Sequence, residues 1–250
     1  MTKARLRTAF GPSKTDVQQR IYQNSHIKLG RVLEEGTVDE LVAKAERFIE
    51  DEKSVQIKED GHLLRDSLVS TDFDFAQNFS EAFKAVEGNR ELLQGYYGSY
   101  FKPAYGSLYR NYHVPSDELD FHGYRWHFDS FTPDHIRIFI MLSDPEEAGA
   151  PLHLLDRPQS KQVARKQQTG ALHLDDYDTD EIKISKGEAI LTNTTQILHR
   201  GGNPPENSKR EMIQLTFAPA SRPMENDPEK IRFAAEKETD VMGLKRFVKY

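Results

Sequence analysis

Two stretches in the first hundred residues repeat apolar side chains at the spacing of an α-helix. One follows Thr37, where Thr37 and Glu40 form the Ser/Thr-x-x-Glu pattern that predicts a capping box and the start of a helix. The other begins near Asp74, is interrupted at Gly88 and continues over residues 91–97 as a shorter helix. The apolar positions are Leu41, Ala45, Phe48, Ile49, Phe75, Phe79, Phe83 and Val86. Both stripes are typical of helices that bury one face in a core.

From about residue 102 to 218 the pattern changes to short segments rich in β-branched and aromatic residues. It predicts strands at residues 135–142, 187–193 and 211–217. A last helix is predicted from Asp227 and Pro228 to about residue 237. Helices before and after an antiparallel sheet indicate an α+β fold, with a double-stranded β-helix (jelly roll, cupin-like) core buttressed by N- and C-terminal helices. We expect one domain over residues 1–250.

Composition narrows the function classes. The chain has 250 residues, of which 37% are hydrophobic, enough to bury one substantial core. It contains no cysteine, which removes disulfides and thiolate metal ligands and favours an intracellular setting. The net charge of −6, with acids and bases interspersed, argues against a nucleic-acid surface. No apolar run is as long as a membrane span, so we expect a cytoplasmic protein without a nucleic-acid or membrane partner. The oligomeric state is left open.

The residues that carry chemistry are His127, Asp129, His199 and, eleven residues after it, Arg210. A His-x-Asp pair on a strand points both side chains to one face. With a second histidine from a distant strand it gives two imidazoles and one carboxylate on one side of a metal. That ligand set suits non-haem Fe(II) and leaves positions open for oxygen and a co-substrate. The sequence therefore predicts a metal site at His127, Asp129 and His199.

Arg210 has two interpretations. A guanidinium binds a carboxylate through two parallel hydrogen bonds and stays charged at any working pH, so Arg210 can hold an acidic co-substrate beside the metal. Alternatively, it pairs with a surface acid such as its neighbour Glu211.

These residues resemble the motif of the Fe(II)- and 2-oxoglutarate-dependent dioxygenases, and within them of the phytanoyl-CoA dioxygenase-like family. The resemblance covers roughly residues 100–220. It rests on Trp-His-Phe-Asp at 126–129, on Gly-Glu-Ala at 187–189 and on His-Arg-Gly-Gly-Asn at 199–203, and it continues to Arg210. One departure lies at residues 156–160, where this chain has Asp-Arg-Pro-Gln-Ser and many relatives have a Pro-Gly-Ser-His turn.

The resemblance implies a role for each residue. His127, Asp129 and His199 would bind Fe(II), and Arg210 would bind the distal carboxylate of 2-oxoglutarate, the co-substrate used with O2. The implied reaction hydroxylates an unactivated C–H bond of a small-molecule metabolite and releases succinate and CO2. Because Asp129 keeps the carboxylate that halogenating relatives lack, hydroxylation is expected rather than halogenation. Desaturation or ring formation would use the same residues and stays open.

Substrate contacts are harder to predict, because strand parity decides which side chains face inward. The candidates flank the metal motif and are Tyr109, Asn111, Tyr124, Arg125 and Arg137. The polar stretch from Asp156 to Asp180 is either a mobile lid or a surface loop. The prime substrate itself is not readable from the sequence.

Two other function classes fit the scaffold. A cupin-like metalloenzyme of another reaction type would share the barrel and two histidines but has no need of Arg210. A non-catalytic metal- or small-molecule-binding protein would be expected to have lost a ligand, and all three are present. Fold alone does not decide between these functions.

Overall fold

A computed structural model describes residues 15–59, 61–70, 74–115, 124–129, 133–144, 150–168, 177–225, 227, 230, 231 and 233. Its helices are α1 (Asp16–Asn24), α2 (Glu35–Glu50), α3 (Phe75–Asn78), α4 (Ser80–Gly88), α5 (Arg90–Tyr97) and α6 (Arg157–Gln168). Its strands are β1 (His26–Arg31), β2 (Val55–Glu59), β3 (His62–Val69), β4 (Tyr100–Tyr112), β5 (Ile136–Met141), β6 (Leu152–Leu154), β7 (Asp180–Ile182), β8 (Glu188–Thr192), β9 (His199–Gly201) and β10 (Lys209–Ala220).

The strands form two antiparallel sheets. The larger has seven strands in the order β1-β8-β5-β10-β4-β3-β2, and the smaller has three in the order β7-β6-β9. The jelly-roll core predicted from the sequence is confirmed, and the three predicted strands correspond to β5, β8 and β10. Several strands that follow one another in the chain, such as β4 and β5, are not neighbours in a sheet. This order is typical of a double-sheet roll rather than a simple meander.

The seven-stranded sheet has one apolar face covered by helices. Cross-strand pairing aligns five fully buried residues on this face, namely Leu68, Leu108, Ile213, Ile140 and Ala189. Phe75 of α3 packs onto Gly106 of β4 on the same face, so closely that a β-carbon at Gly106 would lie 2.8 Å from its ring. The aromatic stripe predicted for the helices is therefore core, as Phe79 and Val86 are also fully buried.

One ion pair is buried on this helix-covered face. Arg110 of β4 and Glu211 of β10 are cross-strand neighbours, and Arg110 Nη2 lies 2.6 Å from Glu211 Oε1. Arg110 Nε donates to the same oxygen at 2.7 Å, and Nη1 reaches Glu46 of α2 at 3.3 Å. Both members of the pair have side chains that are only 5% exposed. Removing one member of a buried pair is strongly unfavourable, because the other charge is left in the interior.

The opposite face of the sheet combines polar side chains with buried apolar ones such as Phe139 and Met212. Because side chains alternate along a strand, the residues next to the apolar row point the other way. Arg65 pairs with Asn111, and Asn111 pairs with Arg210, so these three side chains form a row across β3, β4 and β10 on that face. Tyr109 lies two residues from Asn111 and Arg137 lies on β5 opposite Thr216, and both share this face. This face of the sheet lines the interior of the roll.

Two predictions of local structure were wrong. Helix α2 begins at Glu35 with Glu34 as N-cap, and no side chain caps it, so Thr37 lies inside the first turn rather than in a capping box. Tertiary contact explains the shift, since Val32 and Leu33 both donate their N–H groups to the carbonyl of Gly187 and fix where the chain enters the helix.

The stretch from Asp156 to Asp180 was expected to be a lid or a loop, yet α6 occupies its first half. The Asp156 carboxylate accepts from Gln159 N at 2.7 Å, which is an N-cap bond, and Val163 and Ser160 are the fully buried positions of this polar helix. Of the predicted C-terminal helix, residues 227–237, only 227, 230, 231 and 233 are among the described residues, so most of it lies outside them. No described helix is both long and apolar enough to cross a membrane.

Candidate active site

The two candidate histidines are joined through their main chains. His199 begins β9, and His127 forms an isolated antiparallel bridge to it. His127 N donates to His199 O at 2.9 Å, and His199 N donates to His127 O at 3.1 Å. Directly paired residues in an antiparallel ladder project to the same face, and the two ring centroids lie 4.2 Å apart. Main-chain pairing therefore brings together two imidazoles that are far apart in sequence.

Asp129 completes the cluster. Its backbone N–H donates to Thr194 O at 3.1 Å, which holds the segment beside the loop after β8. Asp129 Oδ1 lies 3.7 Å from His127 Nε2, and Oδ2 lies 3.4 Å from His199 Nε2. The ligand atoms of the three residues are all within 4.8 Å of one another. In the described part of the chain, this is the only group of three or more His, Cys, Asp or Glu side chains arranged so closely.

Hydrogen bonds orient both imidazoles for metal binding. His127 Nδ1 lies 2.7 Å from Arg125 O, and His199 Nδ1 lies 3.2 Å from Ile197 O. A carbonyl only accepts, so each Nδ1 carries the proton and each Nε2 presents a lone pair to the cluster. Ligand atoms bound to one ion at about 2.0–2.2 Å lie about 3–3.5 Å apart. The spacings to Asp129 are close to that range, so the three residues fit a metal ion.

Arg137 lies against the candidate ligand Asp129. Its side chain is 1% exposed, and its Nη1 forms an ion pair with Asp129 Oδ2. Arg137 Nε donates to Thr216 Oγ1 at 3.2 Å, and Nη1 also donates to Thr194 Oγ1. The sequence suggested a substrate contact for Arg137, and that role stays a prediction. In the structure its guanidinium holds the orientation of a carboxylate that faces two histidines.

Arg210 is buried in the roll interior without a carboxylate partner among the described residues. It is 2% exposed; Nη1 donates to Ala150 O at 3.3 Å, and Nε has no partner. Burial lowers the pKa of its guanidinium, with nearby Arg65 acting in the same direction, but arginine stays protonated in proteins. The suggested pairing with Glu211 is absent, because Glu211 points to the other face and binds Arg110.

Gly201 makes room for that guanidinium. A β-carbon at Gly201 would lie 2.4 Å from Arg210 Nη2 and 3.0 Å from its Cζ. Gly201 is two residues after His199 in β9, so the strand that supplies a candidate metal ligand also forms the wall against which Arg210 rests. Arg210 therefore packs against the strand that begins with His199.

Polar side chains surround Arg210. Burial raises the pKa of the Tyr109 phenol and raises that of Tyr124 to about 12, with Arg210 and Arg65 opposing both shifts. Both phenols therefore stay protonated at neutral pH, and Tyr124 donates to Tyr112 O at 2.7 Å. Arg65 stacks on Tyr109, with its Cζ 4.7 Å from the ring centroid.

The structure thus brings together most of the residues singled out in the sequence. Tyr109, Asn111 and Arg137 share the inner face with Arg210, and Tyr124 lies near them. For Arg125 the structure shows a main-chain contact to His127. Of the two histidines that flank the motif, His135 is buried just before β5 and His122 lies outside the described residues.

Sequence reasoning missed Arg65 and the steric role of Gly201. Arg65 reaches the site only through the pairing of β3 with β4, which no local pattern reveals. For Gly201 there was a signal in the two consecutive glycines that follow His199 and Arg200. Gly201 is the last residue of β9, and its missing side chain admits Arg210.

No protein-family model matches this chain, and no curated protein sequence matches it significantly. Solved structures do. The non-haem α-ketoglutarate-dependent epimerase SnoN from nogalamycin biosynthesis is 14% identical, with a TM-score of 0.61 over 81% of this chain and 81% of SnoN. SnoN has also been solved in complex with Fe3+, α-ketoglutarate and nogalamycin RO.

Two further structures have the same fold. The α-ketoglutarate-dependent carbocyclase SnoK is 12% identical, with a TM-score of 0.59 over 79% of this chain and 81% of SnoK. EctD from S. alaskensis with bound Fe is 12% identical, with a TM-score of 0.57 over 78% of this chain and 72% of EctD. The TM-scores show a shared fold, and at identities this low they show the fold alone. On that level the resemblance to 2-oxoglutarate-dependent enzymes is confirmed. The narrower phytanoyl-CoA dioxygenase-like assignment stays a prediction.

Proposed function

We propose that this chain is an Fe(II)- and 2-oxoglutarate-dependent oxygenase that hydroxylates an unactivated C–H bond of a small-molecule metabolite. The co-substrates are 2-oxoglutarate and O2, and the other products are succinate and CO2. His127, Asp129 and His199 bind the iron, and Arg210 binds the distal carboxylate of 2-oxoglutarate. The shared fold with α-ketoglutarate-dependent enzymes supports the general class.

The observation that carries the proposal is that Arg210 is buried and has no counter-ion among the described residues. A buried cation without a counter-ion is costly, and in the described residues no carboxylate lies within ion-pair distance of it. A dicarboxylate co-substrate supplies the missing negative charge. A metal-binding cupin of another reaction type gives no reason to retain this guanidinium.

The protein side chains prepare the site in three ways. The imidazoles are fixed as Nε2 ligands by their bonds to carbonyl groups, and Arg137 fixes the Asp129 carboxylate. Three protein ligands on one side leave the other side open for co-substrate and oxygen. When bound, iron with 2-oxoglutarate supplies the oxidising chemistry that removes hydrogen from a C–H bond. Burial of the histidines keeps the site dry.

The reaction outcome is the finer part of the proposal. An epimerase and a carbocyclase share this fold, so the fold itself allows outcomes other than hydroxylation. The carboxylate of Asp129 favours hydroxylation over halogenation, because it keeps the third protein ligand in place. Desaturation or ring formation would use the same residues. A non-catalytic binding protein on the same scaffold is the alternative, and it would bind the co-substrate without turning it over.

The metal assignment is tested by spectroscopy. Purified protein reconstituted anaerobically with Fe(II) and 2-oxoglutarate is expected to show the visible charge-transfer band of a chelated keto acid. Asp129→Ala and His199→Ala should abolish the band, because each removes one of three ligands. Exposed His62 provides a matched control, since His62→Ala deletes an imidazole outside the cluster. If both ligand variants keep the full band, the assignment is wrong.

The co-substrate assignment is tested at Arg210. Arg210→Lys should raise the Michaelis constant for 2-oxoglutarate by about tenfold or more, because it loses one charge-assisted hydrogen bond. Arg31→Lys, at the exposed sheet edge, is the control. Pyruvate lacks the distal carboxylate, so it should support the wild-type reaction poorly. Equal turnover with pyruvate and 2-oxoglutarate would show that Arg210 does not bind that group.

A further inference from the structure

The inner face of the large sheet contains more positive charge than one co-substrate carboxylate requires. Arg65 and Arg210 stand on either side of Asn111 in one cross-strand row, and Arg137 lies further along the same face. Strands β3, β4 and β10 together contain two carboxylates, Asp66 and Glu211. Both point to the helix-covered face, where Glu211 binds Arg110 and Asp66 binds Tyr112. Both carboxylates of these strands therefore point away from the face that contains Arg65 and Arg210.

The amide of Asn111 is oriented as a donor into this row. Arg65 Nε can only donate, and it contacts Asn111 Oδ1 at 2.7 Å, so the NH2 group of Asn111 points away from Arg65 Nε. Asn111 is fully buried, and its Nδ2 has no hydrogen-bond partner. A buried donor of this kind calls for an acceptor. Arg210 lies in the same row and is 2% exposed, and its Nε also has no hydrogen-bond partner.

Arg65 is positioned to contact a ligand. Its guanidinium lies over the Tyr109 ring at 4.7 Å, and the residue is half-buried. Stacking and the bond to Asn111 fix the plane of the guanidinium, which lowers the entropy lost when it binds a carboxylate or phosphate in a fork.

The Asn111 donor indicates what occupies the row. In the proposed function Arg210 holds the distal carboxylate of 2-oxoglutarate. The buried Nδ2 of Asn111 lies between Arg210 and Arg65 in the same cross-strand row, so we expect an acceptor beside the co-substrate.

We infer that Arg65, with the Asn111 amide, binds an anionic group of the prime substrate, a carboxylate or a phosphate, beside the co-substrate held by Arg210. The inference rests on the proposed function and adds the chemical class of the substrate.

Three probes with one ring test this subsite: benzoate, phenyl phosphate and neutral benzamide. The protein is loaded anaerobically with Fe(II) and 2-oxoglutarate, and the emission of its single tryptophan, Trp126, is followed during titration at constant ionic strength. We expect at least one anionic probe to bind about tenfold or more tightly than benzamide, the effect of one charge-assisted hydrogen bond. Tighter binding of benzoate would indicate a carboxylate on the substrate, and tighter binding of phenyl phosphate would indicate a phosphate.

Variants assign the preference to Arg65. Arg65→Gln should reduce it to within about threefold of parity while leaving 2-oxoglutarate affinity within about threefold, because Arg210 is untouched. Arg65→Lys keeps the charge without the fork and should retain part of the preference, and thermal midpoints verify that both variants fold. Arg31→Gln removes a charge at the sheet edge and should change nothing.

Several results would overturn the inference. One is equal binding of all three probes to the wild type, and another is an anion preference that survives Arg65→Gln. A third is a loss of 2-oxoglutarate affinity in Arg65→Gln as large as in Arg210→Gln, which would place Arg65 in the co-substrate site. Failure of 2-oxoglutarate to bind the wild type would appear before any probe is added and would reject the proposed function itself.

Discussion

Replacing Gly201 with alanine should weaken co-substrate binding without touching a metal ligand. The added β-carbon would lie 2.4 Å from Arg210 Nη2 and 3.0 Å from Nη1. Ordinary contacts between such atoms need about 3.4 Å or more, so the guanidinium must retreat by about 1 Å. A shift of that size takes a hydrogen bond of about 2.9 Å out of range. Gly201 does not have a positive φ, so the backbone accepts alanine.

The magnitude follows from the bond that is lost. A hydrogen bond to a charged group contributes about 1.5–3 kcal/mol, and each 1.4 kcal/mol is about tenfold in affinity. The dissociation constant of 2-oxoglutarate should therefore rise by about ten- to a hundredfold. The thermal midpoint should change little, because the displaced atoms are the far end of a flexible side chain. Fe(II) binding in the absence of 2-oxoglutarate should be unchanged.

The assay is an anaerobic titration of Fe(II)-loaded protein with 2-oxoglutarate, followed by the charge-transfer band. Two glycines give controls with opposite expectations. A β-carbon at Gly36 in α2 meets nothing within 4 Å, so Gly36→Ala should bind normally. At Gly202 it would lie 2.8 Å from the carbonyl of Pro151, a main-chain clash that should lower stability. Wild-type affinity in a folded Gly201→Ala protein would refute the placement of Arg210.

Three further predictions concern stability. Asp156→Ala removes the N-cap acceptor of α6 and should lower the free energy of unfolding by about 0.5–2 kcal/mol in urea melts; no change would mean that the cap contributes nothing. Phe79→Ala deletes a fully buried ring and should cost about 3–5 kcal/mol, against a small effect for Tyr100→Ala at a 44% exposed position, and similar costs would contradict the packing described. Burial lowers the pKa of His153 and His26 below the ordinary value of 6.5, so the unfolded chain binds more protons at acidic pH, and stability should fall as the pH drops below about 6.5. His153→Gln should reduce that pH dependence, and an unchanged slope would exclude His153 as a contributor.

Strands and candidate ligands could be predicted from the sequence because their signals are local. The runs that became β5 and β8 are apolar and β-branched. The spacing of His127 and Asp129 predicted one shared face on a strand. The two side chains do meet, but His127 forms only an isolated bridge and Asp129 lies outside any strand. The pairing of His127 with His199 was inferred from chemistry, and the structure shows the two main-chain bonds that bring it about.

Features set by tertiary contact could not be predicted in this way. The start of α2 depends on bonds from Val32 and Leu33 to Gly187, a residue over 150 positions away. Arg65 joins the site through a strand pairing that bridges β3 and β4. By contrast, α6 was missed despite a local signal, since Asp156 followed by Pro158 is a usual helix start, and the low apolar content of the segment outweighed it.

The Arg110–Glu211 pair has a consequence for the chemistry on the other side of the sheet. Arg210 and Glu211 are consecutive in β10, so a register slip by one residue would exchange their faces and bring a carboxylate into the roll interior. The slipped strand would also take Glu211 away from Arg110 and leave Arg110 with the ion pair to Glu46 at 3.3 Å. Breaking a buried pair costs about 3–5 kcal/mol. A salt bridge that touches neither metal nor co-substrate thus fixes the register of β10, and the inward orientation of Arg210 depends on it.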